Sequence, residues 1–127
     1  MKKNLAGRDE ILKFSDLPFE DVTIPDMGNL TVRISALNAL DYHKAGAAIN
    51  KMGDEYVRPI YVVYCAFDAD GNRLFGEADI ERVAKLSGVA IRQLSDVALR
   101  LNRASNEAVE ELAENLSPTE AEDSLSV

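Results

Sequence analysis

Asp68, Asp70 and Asn72 fall at positions 1, 3 and 5 of a twelve-residue window that closes on Asp79, the spacing of oxygen ligands in a calcium loop. The rest of the window argues against a metal. Arg73 stands where the sharp turn usually needs glycine, Phe75 takes the place of a smaller aliphatic, and no second loop follows. An Asp/Gly/Asn turn between two packed elements is the expectation. His43, the only histidine, has no second ligand or nucleophile spaced near it. Cys65, the only cysteine, sits in an apolar run that disfavours its thiolate. Phosphate loops, His/Cys metal spacings and G-x-S-x-G are missing. No enzyme, cofactor or metal site is expected.

A second chemistry is base reading. Residues 82–97, RVAKLSGVAIRQLSDV, have the layout of a helix-turn-helix: a small residue in the first helix, Gly88 at the turn, a buried Val89, then apolar Leu94 and Val97. Arg92 and Gln93 would face base edges. Ala90, rather than a capping Ser or Thr, opens the second helix, and Asp96 would face the phosphates. No basic patch flanks the pair, although phosphate neutralisation supplies most non-specific affinity. A DNA-binding regulator therefore stands as the alternative reading.

The elements that would position these groups follow from periodicity. Residues 21–24 and 30–34 alternate apolar and polar around the turn formers of 25–29, which predicts a β-hairpin. Ser35 or Asn38 can cap a following helix, with Leu37, Leu40, Ala45, Ala48, Ile49 and Met52 on its apolar side and Gly53 as its stop. The block 56–67 is β-branched and aromatic, yet its length and Pro59 near its start favour a buried helix. Acids at Glu77, Asp79 and Glu81 suit the start of a helix striped by Ile80, Val83, Ala84 and Leu86 and broken at Gly88. The next helix carries Ile91, Leu94, Val97, Ala98 and Leu101 on one side. A last one, capped by Ser105, carries Ala108, Val109, Leu112, Ala113 and Leu116 and ends at Ser117-Pro118.

The expected architecture is a single α+β domain over residues 1–117, mainly α-helical with a small N-terminal β-hairpin, followed by a disordered acidic tail over 118–127. Its 127 residues, 46% hydrophobic and 28% charged, suffice for one globular core. No apolar run is long enough for a membrane span, and no apolar region follows Lys2 and Lys3 as in a signal peptide. With a single cysteine this makes the cytoplasm the default location. The net charge of −8 is uneven: from Ala104 onward there are seven acids and no base, while the first 103 residues hold 15 acids and 14 bases. Such an exit repels phosphate and keeps assemblies soluble.

The order of these segments resembles the tail assembly chaperones of long-tailed bacteriophages. The likeness is carried by V-R-I-S at Val32–Ser35, D-x-D-G-N-R-L-F at Asp68–Phe75, A-L-R-L-N at Ala98–Asn102 and S-x-E-A-V-E-E-L-A-x-N at Ser105–Asn115, and it spans most of Val22 to Asn115. It implies a small late protein of the host cytoplasm, absent from the virion, that forms homo-oligomers. Such a protein coats the apolar helices of the tape measure protein until the tail tube encloses them. A programmed frameshift often adds a longer product that recruits the tail tube protein. No lysine follows Arg103, so the slippage trace such sites often leave is missing. Neither nucleic acid nor membrane is an expected partner. Apolar helix faces would meet apolar client helices. The partner-binding candidates are Ile91, Leu94, Val97, Ala98, Leu101, Val109, Leu112 and Leu116, although for any single one of them core packing is the plainer expectation.

Overall fold

The computed structural model describes residues 4–104. Strand β1 (Phe19–Ile24) and strand β2 (Leu30–Ser35) form the expected hairpin, paired antiparallel with Val22 opposite Val32. The connection is a turn of 3-10 helix, Pro25–Met27, after which Gly28 takes a left-handed φ of 64°. A Cβ tolerates that conformation poorly, so glycine ends the turn. Val22, Ile24 and Ile34 point into the core. On the outer side Arg33 donates to both oxygens of Asp21, at 2.8 and 3.0 Å, and stacks 4.3 Å over the Phe19 ring. The sequence reading lacks the third strand, β3 (Ala66–Phe67), which pairs with β2 and leaves β2 central.

Helices cover the inner face. Ahead of the sheet lies a short exposed helix, α1 (Arg8–Leu12), also unforeseen. Helix α2 (Ala39–Met52) starts at Asn38, whose side chain accepts from Asp41 N at 2.8 Å, so Asn38 rather than Ser35 is the cap. It stops where expected, at Gly53, whose φ is 107° and whose N–H reaches the Ile49 carbonyl at 2.8 Å. Leu40 leaves the expected stripe. It is 61% exposed because Ala45 and Ile49 define a buried side that passes it by.

The ambiguous apolar block is a helix, α3 (Val57–Cys65), running directly into β3. Eight of its nine residues are buried, all but Arg58, and it packs against α2, β2 and both later helices. An apolar surface all round suits only such a central position. Pro59 falls in the first turn, where its missing N–H costs no intrahelical bond.

Helix α4 (Ile80–Ala84) buries only Ile80 and Val83; Ala84 and Leu86, expected on its apolar stripe, are exposed. Its break comes before Gly88, which instead begins α5 (Gly88–Leu101), capped by the Ser87 hydroxyl accepting from Ala90 N. Two details of the helix-turn-helix layout are thereby corrected. The second helix opens at Gly88 behind a serine cap, and Val89 is 67% exposed, on the outer side with Arg92, Gln93 and Asp96. The molecule is α+β and mainly helical. Its core joins one face of the three-stranded sheet to α2, α3, α4 and α5. The last predicted helix and the acidic tail lie outside the described residues.

Candidate functional site

Helix α5 carries five of the eight candidate partner residues, and its two faces have different duties. Ile91, Leu94 and Ala98 are buried against the core, chiefly on α3, while Val97 and Leu101 are half-buried at its margin. Ala90 and Leu99 complete the buried face. The helical period dictates this division, since positions 91, 94 and 98 recur on one side. Val109, Leu112 and Leu116 lie outside the described residues.

The outer face of α5 is polar, and its side chains are held by the body of the molecule. Arg58 of α3 donates to Asp96 at 2.7 Å and to the buried Ser95 hydroxyl at 2.8 Å. The Gln93 amide donates to the Thr23 carbonyl of β1, and Arg100 pairs with Glu20 of the same strand. In the base-reading alternative Gln93 and Asp96 would face the nucleic acid; here both are engaged within the chain.

Asn102, just after α5, joins three parts of the fold while 9% exposed. Its carbonyl accepts from Leu37 N at 2.8 Å, between the sheet and α2. Its amide donates to the Ala98 carbonyl at 2.8 Å and to Cys65 Sγ at 3.5 Å. One residue before Leu37, Ala36 N donates to the Pro18 carbonyl at 2.9 Å. The foot of the N-terminal arm and the end of α5 therefore meet on one connection, and Ala104 is buried there.

The groups first considered for chemistry serve turns and core. Asp68 Oδ1 accepts from Asp70 N and Asn72 N, each at 2.9 Å, which closes a turn. Asp79 Oδ2 accepts from Gly76 N at 2.9 Å, at the entry to α4. Both carboxylates thus act on their own backbone rather than converging. Tyr64 gives its hydroxyl to Glu77 at 2.6 Å, and Arg73 lies 4.8 Å from its ring and pairs with Asp41 at 2.8 Å. Burial, then the Glu77 bond, pushes the Tyr64 hydroxyl up to about 12. Burial likewise raises the Cys65 thiol to about 12, with the Asn102 amide opposing it. A thiol so shifted is no nucleophile near neutral pH. His43 is exposed on α2.

The feature that sequence reading missed is an apolar N-terminal arm. Leu5, Ile11, Leu12, Phe14 and Leu17 expose 82, 60, 61, 89 and 39% of their surfaces. Neither alternation nor a full helical stripe marks this stretch. The available signal was only its density of large apolar residues, Ile11-Leu12 and Phe14 above all, beside charged ones. Large apolar side chains left exposed this close together in the chain make a candidate interaction surface. No helix among the described residues is long and apolar enough to cross a membrane.

No protein-family model matches the sequence, and no curated protein matches it. A solved structure does: the tail assembly chaperone of bacteriophage HK97, with a TM-score of 0.58 and 15% identity, covering 76% of this chain and 95% of that one. Nearly the whole HK97 protein is thus superposable on this chain, with little sequence in common. The fold is therefore shared, and the chain is built like the HK97 tail assembly chaperone.

Proposed function

We propose that this chain is a bacteriophage tail assembly chaperone, a binding and assembly protein rather than a catalyst. It self-associates and coats the tape measure protein in the host cytoplasm, keeping its apolar helices soluble until the tail tube forms. The observation that carries this reading is the fold shared with 95% of the HK97 chaperone. The order of motifs in the sequence, the grouped apolar exposure on the arm and the base-free acidic exit all fit a protein that handles apolar helices and stays soluble.

The partner-facing role falls on Val97 and Leu101 at the core margin and on Val109, Leu112 and Leu116 beyond it. Ile91, Leu94 and Ala98, buried against the core, hold α5 in place. A longer frameshift product that recruits the tail tube protein belongs to the same reading. A tagged gene expressed with its native downstream DNA tests it, a minor longer band being the expected result.

Co-expression with the cognate tape measure protein tests the function itself. The client should move from the pellet to the soluble fraction when this chain is present. A client that stays in the pellet overturns the proposal.

A further inference from the structure

Residues 76–89 lie along α3 as a strap. Phe75 before them packs against the core and Ala90 after them is fully buried, but between these anchors only Ile80 and Val83 are buried. The strap runs from a turn of 3-10 helix, Glu77–Asp79, into α4, and α4 packs chiefly on α3. Two tyrosine hydroxyls tie it down. Tyr64, near the end of α3, donates to Glu77 at 2.6 Å, and Tyr56, just ahead of α3, reaches both oxygens of Glu81 at 2.9 and 3.1 Å. The later acid meets the earlier tyrosine, so the strap runs antiparallel to α3. Tyr56, Ile60 and Tyr64 recur every four residues on one side of that helix, and Ile60 between the ties is fully buried.

Little else holds the strap. Glu77 and Glu81 are exposed, so water competes for each tie. A segment with two buried side chains, packed chiefly on one helix, opens at a lower free energy than the core around it. What it covers is α3, whose residues are buried on every side but for Arg58. Lifting the strap therefore uncovers an apolar helix face flanked by two hydroxyl donors.

We propose that this strap is a lid over a helix-binding site on α3, and that a client helix of the strap's own pattern displaces it. Such a helix carries apolar residues at i and i+3 in the places of Ile80 and Val83. Acids at i−3 and i+1 take the places of Glu77 and Glu81. The occupant follows from what already sits there: α4 is itself a helix on this face, and a helix of the same pattern returns a partner to both tyrosine hydroxyls. Resting on the function proposed above, the lid keeps the apolar face of α3 away from water and from other chains until a client helix arrives. Affinity is lowered by the fraction of chains that are closed.

Hydrogen exchange of the full chain, read by mass spectrometry with and without the cognate tape measure protein, tests the lid. In the free chain, Tyr56→Phe combined with Tyr64→Phe should speed exchange in 77–86 about tenfold, with α3 and α5 peptides unchanged as the control for folding. Exchange in 77–86 that matches the wild type, or that rises only in step with α5, overturns the proposal, because the strap then has no opening of its own. In the complex, 77–86 should exchange about tenfold faster than in the free wild type while α3 stays protected. A soluble complex in which 77–86 is unchanged or slower overturns the lid and leaves the chaperone standing. A client that stays insoluble with the wild-type chain sinks the function, and the client site with it.

Discussion

Asn102 and Cys65 touch at the inner end of α5, and together they govern how firmly that helix is locked to the sheet connection. Replacing Asn102 by alanine strands the Leu37 N–H in a buried position, a loss of about 1–3 kcal/mol. The urea midpoint should fall accordingly, with little change in slope. Cys65 makes a separate test. Its thiol pKa is 9.0 when unperturbed and about 12 in the fold, raised by desolvation. Between those values the unfolded chain gives up a proton that the folded chain keeps, so this contribution to stability is full below pH 9 and declines as pH rises towards 12. Cys65→Ala should therefore show a shallower alkaline fall in melting temperature than the wild type. The native thiol should resist a disulfide reagent at neutral pH and react once the chain is unfolded. Of these residues, Cys65 was legible as inert from its apolar neighbours. The role of Asn102 was not, because its partners lie 65 and 37 positions away.

Among the elements, the hairpin, α2 and α5 were legible because each carries its own periodicity and punctuation: Gly28 in the turn, Asn38 and Gly53 at the helix ends, a repeating apolar side on α5. α3 was legible only as an apolar block, and its length tipped the reading to helix. Two residues of β3 offer no period at all; they form a strand because β2 has a free edge for them. Val89 was misplaced because a helix-turn-helix template put it in the core, whereas the register of α5 sends 90, 91, 94 and 98 inward and leaves 89 outside. The division of α5 makes a prediction. Leu94→Ala should cost about 2–5 kcal/mol through the cavity it leaves. Val97→Ser and Leu101→Ser should cost clearly less in chemical denaturation, yet weaken self-association in sedimentation velocity. Equal losses of stability at all three positions would place Val97 and Leu101 in the core alone.

At the scale of the whole molecule, the described residues form an α+β body with the fold of the HK97 chaperone, preceded in the chain by an arm that exposes large apolar side chains. The order of segments already pointed to that family. The candidate site was less legible, since periodicity finds an apolar face and does not say whether the chain itself covers it. Ile91, Leu94 and Ala98 proved to be covered, and the exposed group on the arm had no period to announce it. The most direct measurement is co-purification of the tagged chain with its cognate tape measure protein, followed by mass determination by light scattering. The account predicts one soluble complex with many copies of this chain on each client. A chain that elutes alone while the client remains insoluble would contradict it.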